Sequence, residues 1–139
     1  MVDQNCAYCM EDELVAKFGI KICELETSKV YLFKEQSHPG RCIVAHKKHV
    51  GDMNELTAEE RAAYFEDVAR VARAIMKAFN PDKVNYGAYG DTGHHLHFHL
   101  CPKYKDEYEW GGVFLMNPDK KYLTDEEYAD MIEKIKANL

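Results

Sequence analysis

The sequence contains no apolar run approaching the ~18 residues that a membrane-spanning helix needs. Its opening stretch, MVDQNCAYCMEDE, has neither the basic start nor the apolar segment of a secretory signal. Positive charge is in deficit: 18 Lys and Arg stand against 24 Asp and Glu, for a formal net charge of -6. That balance disfavours a nucleic acid polymer as partner, because such binding grows with Lys and Arg clustered on phosphates. A small anionic substrate stays compatible, since a local pocket can oppose the global charge. There is no internal repeat, low-complexity tract or linker-like stretch, so no domain boundary is expected within residues 1–139. The five cysteines, Cys6, Cys9, Cys23, Cys42 and Cys101, are an odd number in a chain long enough to fold without disulfides. A reduced compartment follows, and the expectation is a cytoplasmic protein with no membrane partner.

What is present is a set of short apolar segments and two helical patterns. Residues 20 to 26, 29 to 34 (KVYLFK) and 41 to 46 (RCIVAH) are rich in β-branched and aromatic residues, with a turn at His38-Pro39-Gly40, and read as antiparallel strands. Thr57 followed by Glu60 is a capping-box pattern. After it, Phe65, Val68, Ala72, Ile75 and Phe79 fall on one helical stripe that Asn80-Pro81 ends. Two further strand-like runs, 83 to 90 and 94 to 102, flank the Gly90-Asp91-Thr92-Gly93 connection. A last helix opens at Thr124 and turns Tyr128, Met131, Ile132 and Ile135 inward. Grouped strands, a helix, more strands and a helix predict an α+β fold: an antiparallel sheet of about five strands, one long central helix and a C-terminal helix.

Histidine is the concentrated resource. In His95-Leu96-His97-Phe98-His99-Leu100 the polar and apolar residues alternate with period two. On a strand, Leu96, Phe98 and Leu100 then face the core, and His95, His97 and His99 share the opposite face at intervals of roughly 6 to 7 Å. Imidazoles with an ordinary pKa near ~6.5 serve at neutral pH as nucleophiles, proton carriers or metal ligands. A solvated polar face is the plain alternative, but Thr, Lys or Glu would serve that role equally well. A catalytic metal on the triad itself is the sharper rival. Against it, three residues in a row on a nearly straight strand do not converge easily on one ion.

The run His95-Leu96-His97-Phe98-His99-Leu100-Cys101 resembles the signature of the histidine-triad nucleotide hydrolases and transferases, in which histidines alternate with apolar residues. Asn85-Tyr86-Gly87 and the loop ending at Gly93 are similar to the family's phosphate-approach segment, and the element order resembles the family fold from about residue 6 to 103, with 104–139 as a C-terminal extension. The resemblance implies that His97 attacks the α-phosphorus of an adenosine phosphoramidate or a dinucleoside polyphosphate. A covalent nucleotidyl-histidine forms, and water then releases the nucleoside monophosphate. It implies that His99 donates to the phosphate oxygens, that His95 orients backbone or binds metal, and that the enzyme is a homodimer paired through the long helix and the following strand. Asn85, Thr92, Gly93 and the backbone from Gly90 onward would hold phosphate. Where many relatives have Gly-Gln, this chain has Gly90-Asp91, which puts an acid beside the phosphate path. For the ribose, Glu35 or Gln36 is the nearest candidate. Histidine-triad relatives also include non-catalytic nucleotide-binding modules, the alternative function.

Cys6-Ala7-Tyr8-Cys9 reads as half of a zinc site, as a redox pair or as two ordinary thiols. The absence of a βαβ pattern around it counts against the redox reading. His46 and His49, in Ala45-His46-Lys47-Lys48-His49, are the available third ligands. Several bacterial histidine-triad proteins that this chain resembles pair such cysteines with the positions of His49 and His95. The resemblance therefore implies a structural zinc on Cys6, Cys9, His49 and His95, with chemistry that needs no cofactor. Cys23, Cys42 and Cys101 read as buried core thiols. Trp110, next to Gly111-Gly112, reads as a cover for the nucleotide, a dimer contact or plain packing.

Overall fold

The computed structural model describes residues 3–139. Two four-residue helices, α1 (Ala7–Met10) and α2 (Glu13–Ala16), precede strands β1 (Gly19–Glu24), β2 (Ser28–Phe33) and β3 (Cys42–His46). A short 3-10 turn, Met53–Glu55, leads into α3 (Ala58–Phe79), followed by β4 (Lys83–Gly87), β5 (His97–Lys103) and α4 (Asp125–Ala137). The strands form one antiparallel sheet in the order β1-β2-β3-β5-β4, which is the α+β arrangement expected from the sequence. The pair α1 and α2 was not expected, because four residues are too few to show a helical period.

Local chemistry sets the ends of α3 where the sequence places them. The Thr57 hydroxyl accepts from Glu60 N while the Glu60 carboxylate accepts from Thr57 N, and Asn80 closes the helix in the left-handed region at φ 51. The buried stripe is rotated from the expected one: it runs through Tyr64, Asp67, Val68, Val71, Ala72, Ala74 and Ile75. Tyr64 displaces Phe65 from the core because its hydroxyl donates to Val44 O at 2.7 Å deep under the sheet. Phe65 rests at the margin, 37% exposed, with its ring against Phe98. α4 packs on α3 and β1, burying Tyr128 and Ile135, with Met131 and Ile132 against the same core, the four residues that the sequence turns inward.

The sheet is covered on both faces. Val30, Leu32, Cys42, Val44, Leu96 and Leu100 join α3 and α4 in the larger apolar core. On the other face Tyr31, Phe33, Ile43 and Ala45 pack under Tyr8 and Val15 of the N-terminal helices. Two-sided burial explains why all five residues of β3 are buried. β5 lies between β3 and β4, with Phe98 paired to Val44 and His99 to Ile43. A one-residue slip would turn every histidine into the α3 core, so the apolar residues fix which way the histidines face. No helix among the described residues is long and apolar enough to cross a membrane.

Candidate functional site

The face of β5 turned away from α3 carries His97, His99 and Cys101, while His95 stands just before the strand. Strand pairing begins at His97 rather than at residue 94, because the chain turns at His95, whose N–H donates to Gly93 O at 2.7 Å. The expected row of three is therefore split. His97 and His99 stay side by side with ring centroids 5.2 Å apart, and His95 turns toward the N-terminal helices.

Hydrogen bonds assign each ring nitrogen. His97 Nδ1 lies 2.7 Å from His95 O, so it carries the proton and donates, which leaves a lone pair on Nε2. His99 Nδ1 lies 3.1 Å from Arg41 Nη2, a group that only donates, so His99 carries its proton on Nε2. All three histidines are buried. Burial lowers the pKa of each: His95 to about 4, His97 below its ordinary value, and His99 to about 3 with help from the neighbouring Arg41 charge. Each of these shifts favours the neutral imidazole. The Tyr8 ring packs against both His95 and His97, at 5.5 and 5.0 Å.

His97 and His99 line a cavity of about 950 Å³, large enough for a nucleotide. Its lining includes Phe18, Phe33 and Glu35, Tyr89 with Val113, Phe114 and Met116, and the 90 to 95 loop. Asp91, Thr92 and Gly93 are in that loop, exposed to the cavity, and a Cβ at Gly93 would meet nothing. Asn85 is on β4 opposite Cys101, outside the cavity lining. Glu35 lines the cavity, but its buried carboxylate accepts from Ser37 N, Ser37 Oγ, Lys120 N and Lys121 N. Burial raises its pKa and these four donors outweigh burial, so the net shift is downward. Gln36 is away from the cavity, with its amide bonded to Phe33 O and Gly40 N. Trp110 is exposed and does not reach the cavity. Cys42 and Cys101 are buried as expected, and Cys23 is half-buried. Burial holds the Cys101 thiol up at about 12, which makes it inert.

Beside the triad, Cys6, Cys9, His49 and His95 converge, with their donor atoms all within 4.8 Å of one another. Cys6 Sγ and Cys9 Sγ lie 3.3 and 3.6 Å from His95 Nδ1, Cys9 Sγ lies 3.3 Å from His49 Nδ1, and the two Nδ1 atoms are 3.1 Å apart. A tetrahedral ion with bonds of about 2.3 Å to sulfur and about 2.0 Å to nitrogen holds its ligand atoms roughly 3.3 to 3.8 Å apart. The four residues fit such an ion. His95 Nε2 donates to His46 O at 2.6 Å, which fixes the tautomer that turns Nδ1 toward the cluster. His46 itself is not in the cluster: its Nδ1 accepts from Lys48 N and its Nε2 is buried without a partner among the described residues.

The sequence reading missed Tyr8, Tyr89, Phe114 and above all Arg41. An arginine at the start of an apolar strand carries no signal of burial. Phe33 and Phe114, distant from each other in sequence, enclose it from two sides.

Comparison with known proteins follows the same lines. The family model described as HIT domain matches residues 19–106, more than half of the chain. The protein named hit from Bacillus subtilis is 28% identical over 123 residues, covering 84% of this chain and 83% of the relative. An adenosine 5'-monophosphoramidase from Schizosaccharomyces pombe is 29% identical over 99 residues, 66% of this chain and 70% of the relative. A bis(5'-adenosyl)-triphosphatase from Dictyostelium discoideum is 28% identical over 76 residues, 51% of each. Among solved structures, a histidine triad protein from Sinorhizobium meliloti superposes with a TM-score of 0.84 at 25% identity, covering 92% of this chain and 95% of that one. A zinc-bound histidine triad family protein from Mycobacterium smegmatis has a TM-score of 0.67 at 22% identity, covering 95% and 93%. With the sheet order, the histidine strand and the family model in agreement, this chain belongs to the HIT domain family.

Proposed function

We propose that this protein is a nucleotide hydrolase or nucleotidyl transferase that cleaves at the α-phosphate of adenosine phosphoramidates or dinucleoside polyphosphates, with His97 as nucleophile. One observation carries the reading: His97 Nδ1–H donates to His95 O, so the lone pair of His97 Nε2 belongs to the cavity side of a buried, neutral ring. A neutral imidazole attacks without first losing a proton. The Nε2 lone pair forms a bond to the α-phosphorus, the bond to the leaving nitrogen or oxygen breaks, and the leaving group departs with that electron pair and takes up a proton from solvent, which the water of the second step gives back. The imidazole becomes cationic, and the His95 carbonyl at 2.7 Å stabilises its Nδ1–H. Water then attacks the same phosphorus, the P–N bond to His97 breaks, and the nucleoside monophosphate leaves. His99 Nε2–H donates to the non-bridging phosphate oxygens, and the backbone of the 90 to 93 loop, with Thr92, supplies further donors.

The hydrolase names of the fission yeast and slime mould relatives support the substrate class. Of the two ribose candidates, the geometry favours Glu35, which lines the cavity. Structural zinc on Cys6, Cys9, His49 and His95 is part of the same reading, supported by the cluster geometry and by the zinc-bound mycobacterial relative. When bound, the ion supplies a rigid anchor for the N-terminus and for His95; the bond-making step uses His97 alone. Residues 1–139 are read as one HIT-type unit, supported by the packing of α4 against α3 and β1.

The test is AMP release from adenosine 5'-phosphoramidate and from diadenosine polyphosphates, with His97→Ala in parallel and mass spectrometry for the adenylylated protein. The expected result is turnover by the wild type and a loss on the order of 10⁴-fold or more in His97→Ala. Nucleotide binding without turnover on any of these compounds would replace this reading with the binding-module one.

A further inference from the structure

Arg41 is among the largest fully buried side chains, and no carboxylate lies within ion-pair distance of it among the described residues. A guanidinium is costly to bury without a counter-charge, so its retention calls for an explanation. Its plane is held between Phe33 and Phe114, with Cζ 4.1 and 4.9 Å from the two ring centroids. Nη1 donates to Leu115 O, Nη2 to Met116 O and to His99 Nδ1, and Nε is without a partner among the described residues. The bonds to residues 115 and 116 belong to the segment that lines the cavity.

We propose that Arg41 is a positioning residue for His99: by donating to His99 Nδ1, it fixes that ring as the neutral Nε2–H tautomer, a donor toward an anionic substrate in the cavity. The chemistry leaves little freedom. Arginine has no acceptor, so His99 Nδ1 must present its lone pair, and the single ring proton must sit on Nε2. The adjacent positive charge also opposes protonation of His99 and polarises its Nε2–H, which strengthens the donor where negative charge gathers. The substrate phosphate then supplies, through His99, the counter-charge that the protein withholds. This rests on the phosphate site proposed above.

The experiment is long-range 1H–15N correlation spectroscopy of the zinc-loaded full chain with labelled histidine ring nitrogens, His99 being assigned by comparison with His99→Gln. The expected wild-type spectrum at neutral pH has His99 fixed with its proton on Nε2. In Arg41→Met the signal moves to mixed tautomers, and kcat falls by about 10- to 100-fold with a smaller change in KM. Arg41→Gln keeps a neutral donor without the charge and retains the Nε2–H tautomer. A wild-type His99 that carries its proton on Nδ1 overturns the proposal, as does a folded Arg41→Met whose tautomer is unchanged. The tautomer is read without substrate, so a protein that turns over no adenylate defeats the hydrolase reading and leaves the role of Arg41 to be decided by the spectrum.

Discussion

His99 is buried beside a positive charge and within a ring of aromatic side chains. Arg41 faces it from just before β3, His97 and Cys101 flank it along β5, and the Tyr89, Phe33 and Phe114 rings surround it. Burial first, then the Arg41 charge, holds its pKa down at about 3, against ~6.5 in an unfolded chain. Between those values the unfolded chain binds a proton that the folded one refuses, so stability is complete above about 6.5 and falls as pH drops toward 3. The thermal midpoint of the wild type is expected to fall from pH 7 to pH 4.5 more steeply than that of His99→Asn. Parallel curves for the two proteins would sink this account. His99 was legible in the sequence because three histidines at period two have few ordinary uses. Arg41 was not, because its burial depends on Phe114 and on the backbone of residues 115 and 116, and nothing local to residue 41 reports them.

Among the elements, α3 and α4 were readable at their ends and less so on their faces. A capping box is made of residues three apart, so Thr57 with Glu60 and Thr124 with Glu127 announce themselves. Which side chains turn inward is decided by the sheet beneath, and there Tyr64 displaced Phe65 because Val44 O offered its hydroxyl a partner. The short α1 and α2 make the opposite case, being too brief to hold themselves as helices. They are placed by Tyr8 and Val15 packing on β2 and β3 and by the sulfurs beside His49 and His95. With zinc bound there as proposed, its removal should therefore loosen α1 before the rest. We expect a chelator, or Cys9→Ala, to lower the thermal midpoint by several degrees and to raise hydrogen exchange in residues 6 to 16, with β1 to β5 protected as before. Equal loss of protection in β2 and β3 would show that the hook holds the sheet as well.

For the whole molecule, the two faces of the sheet divide the labour: one is occupied by α3 and α4, the other by the site. β4 is left as an edge strand, with Tyr86 exposed on it and Met76 and Phe65 exposed on α3. An open edge beside apolar side chains suits pairing with a second copy of the chain, the homodimer expected from the family resemblance. Sedimentation equilibrium should give twice the monomer mass for the wild type and the monomer mass for Met76→Glu with Tyr86→Glu. A wild type that sediments as a monomer rules this assembly out.

The cluster of Cys6, Cys9, His49 and His95 also bears on the order in which the chain comes together. Cys6 and His95, 3.3 Å apart at the cluster, are separated by 89 positions along the chain, whereas β1, β2 and β3 pair as consecutive neighbours between Gly19 and His46. Closing so long a loop costs conformational entropy that nearby pairings do not. The hook is therefore expected to form late in folding, and Cys9→Ala to speed unfolding more than it slows refolding in denaturant-jump kinetics; equal effects on both rates would place it in the folding nucleus.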